Sequence, residues 1–136
     1  MTREAQCQCG GIKVVCDGDP EFVFQCYCLE CQRRTGTSYG LSAYFANALV
    51  TIAGEYHTHE RVGDQGNVAT MHFCPTCGTN VYWRAPTLFP DHTGIAVGCF
   101  ADPNFPKPIV AAYGKRRHNW LPPLDGIETN VELPEL

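Results

Sequence analysis

The chain has 136 residues, 44% of them hydrophobic and 18% charged, with a formal net charge of -4 at pH 7. That length suits one domain, able to bury roughly two-thirds of its extended-chain surface and so to form a core without disulfide staples. The acidic balance excludes a general nucleic-acid or anionic-membrane footprint, and no apolar run approaches membrane-spanning length.

With 13 Gly and 10 Pro the chain is expected to be turn-rich, favouring short strands over long helices. Residues 6–11 form a turn carrying Cys7 and Cys9. Residues 12–16 alternate as a half-buried strand, closed by the turn Asp17-Gly18-Asp19-Pro20. Residues 22–25 make a second strand, and residues 29–35 a turn of helix ending at Gly36. Residues 39–45 and 49–53 read as strands. His57-Thr58-His59-Glu60-Arg61 then runs into the turn Gly63-Asp64-Gln65-Gly66-Asn67. Residues 68–73 and 80–84 form a hairpin around Cys74-Pro75-Thr76-Cys77-Gly78. Residues 86–93 are loop, 95–100 an apolar strand, and 102–108 irregular, because prolines lack ladder donors. Residues 109–113 supply a last strand. Residues 1–124 are read as the single domain, and residues 125–136 as an acidic, loosely ordered tail. The class is mainly β.

The first residues, Met1-Thr2-Arg3-Glu4-Ala5-Gln6, hold no apolar signal region, so the nine cysteines are expected in a reducing, cytoplasmic compartment. There, clustered cysteines read as metal ligands, and an odd count argues against a full disulfide framework. Seven fall into three sets: Cys7/Cys9, Cys26/Cys28/Cys31 and Cys74/Cys77. Two assignments follow. In one, Cys7, Cys9, Cys74 and Cys77 close a four-thiolate site, while Cys26, Cys28 and Cys31 hold an ion with an open fourth position. In the other, Cys28/Cys31 pair with Cys74/Cys77 as a zinc ribbon. The 42 residues between those pairs exceed the usual ribbon interval of roughly 15–20, so spacing favours two sites.

Cys-x-Cys-Gly near the start, Cys-x-Cys-x-x-Cys, and Phe73-Cys74-Pro75-Thr76-Cys77-Gly78-Thr79 together resemble the glutathione-dependent formaldehyde-activating (GFA) family, which includes the centromere protein V domain. Gly98 with Asp102-Pro103, Pro108-Ile109 and Trp120 extend the likeness over residues 5–122. The resemblance implies an Mss4-like fold of short twisted antiparallel sheets cross-linked by zinc knuckles, with two zinc ions per chain. Cys7, Cys9, Cys74 and Cys77 would hold the structural ion, and Cys26, Cys28 and Cys31 the catalytic one. It also implies a carbon–sulfur lyase that makes or breaks S-hydroxymethylglutathione from glutathione and formaldehyde.

Three thiolates leave a zinc centre with formal charge -1, better suited to binding a fourth thiol as thiolate than to activating water. A small-molecule thiol such as glutathione and an aldehyde are the expected partners, with Arg33 and Arg34 as forks for substrate carboxylates. The rival reading is a non-catalytic zinc-stabilised binding module. Under the blander reading, the three-cysteine site is structural and closed by His72 or His118. Cys16 and Cys99 read as core thiols, His57 and His59 as surface residues, and Phe45, Tyr82 and Trp83 as core aromatics.

Overall fold

The computed structural model describes residues 1–63 and 65–132. Among them, β1 (Thr2–Gln6), β2 (Lys13–Asp17) and β5 (Val50–Ala53) form an antiparallel sheet in the order β1-β2-β5. The larger sheet contains β3 (Phe22–Cys26), β4 (Gly40–Ala46), β6 (His57–Val62), β7 (Val68–Phe73), β8 (Asn80–Arg84), β9 (His92–Ala96) and β10 (Val110–Ala112). Its order is β10-β3-β4-β9-β8-β7-β6, antiparallel throughout except where β10 runs parallel to β3. One short helix, α1 (Leu29–Thr35), joins β3 to β4 and stops at Gly36, whose left-handed φ of 69° lets its N–H close back on Gln32 O. The fold is mainly β, as the turn-rich composition indicates.

Strands β3 and β4 run through the middle of the molecule and are buried on both faces. Successive side chains on a strand point to opposite faces. Val23, Ala43 and Phe45 accordingly join Ala5, Val14 and Cys16 of the smaller sheet, with Val81 and Ile95, in one core. Phe24 and Tyr44 face the other way, into a second core with Cys26, Cys28, Cys31, Ala85, Phe89 and Tyr113. Burying a large apolar side chain contributes about 1.5–3 kcal/mol. The fully buried Ile12, Phe45 and Ile95 anchor the first core.

Three segments depart from the sequence reading. Strand β1 was not anticipated, because only Ala5 of its five residues is buried; pairing with β2 and the Arg3–Asp19 ion pair hold it. Residues 95–100 are not one strand: β9 begins earlier, at His92, and Val97–Phe100 coils into a 3-10 turn. The turn brings Phe100 against Phe45 and Phe105, at ring distances of 6.0 and 4.5 Å. The tail is the third. Ala111 donates its N–H to Glu128 O, Asn130 donates to Ala111 O, and Lys115 pairs with Glu132. Residues 128–132 thus cover the open edge of β10, which would otherwise present unpaired backbone groups.

Candidate functional site

The turn between β1 and β2 carries Cys7 and Cys9, and the β7–β8 hairpin carries Cys74 and Cys77. The fold brings all four sulfurs within 4.8 Å of one another. Cys7 and Cys9 are 3.7 Å apart and Cys9 and Cys74 3.6 Å, against about 3.8 Å for the sulfurs of a tetrahedral zinc with 2.3 Å bonds. The ligand set and its spacing fit such an ion. Backbone geometry prepares it: Gly78, at a left-handed φ of 77°, donates to Cys74 O, and Ile12 N–H points at Cys7 Sγ at 3.1 Å. The Thr79 hydroxyl and backbone N–H hold Cys77 down at about 5, and the Cys77 N–H lowers Cys74. At Cys9 the Gly11 backbone lowers the thiol, but bonds with Cys74, Cys7 and Cys77 outweigh it and push it up to about 11, so the anionic tendency lies with Cys74 and Cys77.

Cys26, Cys28 and Cys31 gather separately, in the second core and within the same limit. The ribbon pairing of Cys28/Cys31 with Cys74/Cys77 is therefore wrong: the two pairs lie in different clusters, because β3 and the β7–β8 hairpin deliver them to different places. Cys26 ends β3, and Cys28 caps α1, its Sγ accepting the Cys31 N–H at 3.3 Å. Among the described residues no histidine or carboxylate joins these three thiols. His72 instead stacks on Tyr82 at 4.3 Å, and His118 sits beside Trp120. Three sulfurs that close together also fit a zinc-sized ion.

Charge at this cluster is set by arginine. Arg61, reaching in from β6, directs Nη1 to Cys31 Sγ and Nη2 to Cys28 Sγ, each at 3.5 Å. Hydrogen bonds from Cys26 and Cys28, with Arg61 and Arg34 nearby, hold Cys31 well below the usual thiol range. Its bonds to Cys28 and Cys31, with burial, push Cys26 far up. The cluster thus concentrates negative charge on Cys31. Burial works against the Arg61 charge, but Cys31 outweighs it and keeps the guanidinium protonated.

Behind the thiols lies a cavity of about 90 Å³, walled by Phe24, Tyr44, Trp83, Ala85, Phe89 and Tyr113. Adjoining it, a groove of about 390 Å³ that touches none of the three thiols carries Glu30, Arg33, Arg34, His59 and Arg61. Arg34, Arg61 and Met71 border both spaces and form the partition. Arg34 lies 4.5 Å over the Trp83 ring and donates to Asn80 Oδ1 at 3.1 Å. Trp83 lies flat because its neighbour in β9 is Gly94; a Cβ there would meet ring atoms at 2.8 Å. A larger depression of about 990 Å³ touches Cys7 and Cys77 but none of the three clustered thiols.

The family described as "Glutathione-dependent formaldehyde-activating enzyme" matches residues 2–116. The chain belongs to this family. No curated protein gives a significant match. Among solved structures, a Rhodobacter sphaeroides protein from a structural genomics effort is similar at 19% identity and a TM-score of 0.51. That likeness covers 73% of this chain and 86% of that one, and concerns the fold.

Seven of the nine cysteines thus gather into two clusters, Cys7/Cys9/Cys74/Cys77 and Cys26/Cys28/Cys31. The two neighbouring arginines part company. Arg34 turns inward to the thiols, whereas Arg33 is largely exposed beside Glu30, 3.5 Å away. His57 and His59 are exposed on β6 and join neither cluster. Phe45 and Tyr82 are core aromatics as expected, but Trp83 lines the cavity. Arg61 escaped the sequence reading altogether. It sits in the polar run His57-Thr58-His59-Glu60-Arg61, and only the pairing of β6 with β7 carries it across to the thiols.

Proposed function

We propose that the chain is a carbon–sulfur lyase of the GFA type that joins a small thiol to an aldehyde and reverses that addition. The observation that carries this reading is the three-thiol cluster opening on a cavity, with Arg61 donating to two of its sulfurs. Zinc held by Cys26, Cys28 and Cys31 would supply a soft centre at which an incoming thiol, glutathione or a relative, is kept as thiolate at neutral pH. Arg61 offsets the negative charge gathered there. In the forward direction the substrate sulfur attacks the carbonyl carbon. The carbon–sulfur bond forms, the carbonyl π pair moves to oxygen, and that oxygen takes up the equivalent of the proton the thiol released on becoming thiolate. Arg33, Arg34 and Arg61, facing the outer groove, give bidentate forks for the thiol's carboxylates. Cys7, Cys9, Cys74 and Cys77 hold the structural zinc. None of the nine cysteines is paired in a disulfide, which fits a reducing compartment.

The test follows exchange between formaldehyde, glutathione and their adduct by magnetisation-transfer NMR, with and without protein. Acceleration over the spontaneous exchange is expected, and its loss in Cys28→Ala. Equal exchange rates with wild type, Cys28→Ala and buffer would refute the reading and leave a zinc-stabilised binding module.

A further inference from the structure

The cavity that touches the thiols and the groove that adjoins it across Arg34 and Arg61 differ in chemistry, and the difference bears on the electrophile. The outer groove carries three arginines against one carboxylate, Glu30, and is therefore net cationic. The inner cavity is lined mainly by aromatic and apolar side chains, with Arg34, Arg61, Ser42 and Asn67 at its polar edges, and two of its aromatic polar groups are already paired. Trp83 Nε1 donates to the Tyr44 hydroxyl at 3.3 Å, and the Tyr113 hydroxyl donates to Gln65 Oε1 at 3.2 Å. A peptide thiol is far too large for a cavity of about 90 Å³, so its charged body belongs in the groove, with only its sulfur end reaching past Arg34 and Arg61, which border both spaces.

The cavity is then left to the other reactant. Formaldehyde carries only hydrogens on its carbonyl carbon and would leave such a chamber largely unused. Resting on the proposed function, we infer that the electrophile is an aldehyde with a small apolar substituent, seated among Phe24, Tyr44, Trp83, Ala85, Phe89 and Tyr113. Size narrows the class. At about 30 Å³ per water-sized group, a cavity of about 90 Å³ takes about three heavy atoms. A dry cavity of about 150 Å³ is known to hold benzene, so a phenyl ring exceeds the space here. Counted by substituent, propanal and butanal, with two and three carbons beyond the carbonyl, fit; benzaldehyde does not. Each buried methylene contributes about 0.8 kcal/mol, which is about fourfold in kcat/KM, or about 60-fold over three.

The experiment uses the metal-loaded protein with glutathione and a series of formaldehyde, propanal, butanal and benzaldehyde, reading kcat/KM for adduct formation. A second readout needs no turnover. The chain has two tryptophans, and Trp120 is 71% exposed and outside the cavity. Trp120→Phe thus leaves Trp83 emission to report binding of isobutyramide, an unreactive mimic of a branched aldehyde.

The inference predicts butanal above formaldehyde by tenfold or more, benzaldehyde lowest, and saturable isobutyramide binding. It also predicts that Ala85→Leu, which fills the cavity, reverses the preference and abolishes that binding. Ala69→Leu, on another wall, gives the same reversal if Ala85→Leu fails to fold. Formaldehyde as the best substrate, with no response to isobutyramide, would overturn the inference and leave the proposed lyase intact. Isobutyramide binding without turnover of any aldehyde would support the cavity's ligand class while refuting the lyase. Neither turnover nor binding would overturn both.

Discussion

Arg61→Gln tests whether the guanidinium at the three-thiol cluster serves thiol capture. The substitution keeps a hydrogen-bonding side chain and removes the charge facing Cys28 and Cys31, each 3.5 Å away. At that separation, and an effective dielectric of about 20, the gross attraction between unit charges is about 5 kcal/mol. Burial of the guanidinium offsets part of this, and hydrogen bonds to charged groups contribute a net of about 1.5–3 kcal/mol. A loss of about 2 kcal/mol is therefore expected, which is about 30-fold in affinity. The effect should fall on the incoming anionic ligand, not on the metal, since a cation beside the site also repels the metal. Titration calorimetry of glutathione into metal-loaded protein should show Kd rising about 30-fold, with Arg61→Lys recovering part of it. Metal content should stay unchanged. A Kd within twofold of wild type in Arg61→Gln would refute the electrostatic account.

Elemental analysis of reducibly purified protein should find two zinc ions per chain. Cys28→Ala should lose one of them while keeping cooperative unfolding, whereas Cys77→Ala, which opens the cluster tying the β1–β2 turn to the β7–β8 hairpin, should lower Tm sharply. Gly94→Ala pushes a methyl into the Trp83 ring. Overpacking of that kind costs about 1–3 kcal/mol, so a Tm lower by several degrees and a shifted Trp83 emission are expected; an unchanged thermal scan would count against the close contact. Burial pushes the Cys99 thiol up to about 11. Burial disfavours the charged form, so at pH 8 Cys99 should react with iodoacetamide about 100-fold more slowly than a thiol at 9.0, and about tenfold faster per pH unit until about 11. Site-resolved mass spectrometry measures this, and labelling at the rate of an unperturbed thiol would contradict it.

The parts of the site that could be read in the sequence are those where local spacing alone dictates geometry. Cys26, Cys28 and Cys31 lie so close along the chain that any fold keeps them together, and Gly78 marks the turn that presents Cys74 and Cys77. Joining Cys7/Cys9 to Cys74/Cys77 needed elimination by spacing and the family resemblance, because no local pattern links residues that far apart. Arg61 and the cavity wall were illegible for a different reason. Phe24, Tyr44, Trp83 and Tyr113 come from four strands or strand ends, and each alone looks like an ordinary core aromatic. Only the strand order β10-β3-β4-β9-β8 sets them side by side. The tail failed similarly: its acidic, proline-containing composition signals looseness, while its backbone finds the free edge of β10.

That strand order also explains how one small chain keeps its two thiol clusters apart. Because β3 and β4 are buried on both faces, the first core can close around Cys7 and Cys74 while the second holds the other cluster beside a cavity. A closed cluster adds stability by tying distant segments; an open one needs a space beside it, which lowers packing and costs stability. Placing them in separate cores lets the closed cluster offset the cost of the open one without sharing side chains. Substitutions over 7–10 Å apart with no shared partners usually add in their effects. Changes to the cavity wall, such as Ala85→Leu, should accordingly alter ligand choice while the four-thiol cluster keeps its metal. The exception is Arg34, which touches Trp83 and Asn80 at once and so links the cavity to the hairpin that presents the knuckle.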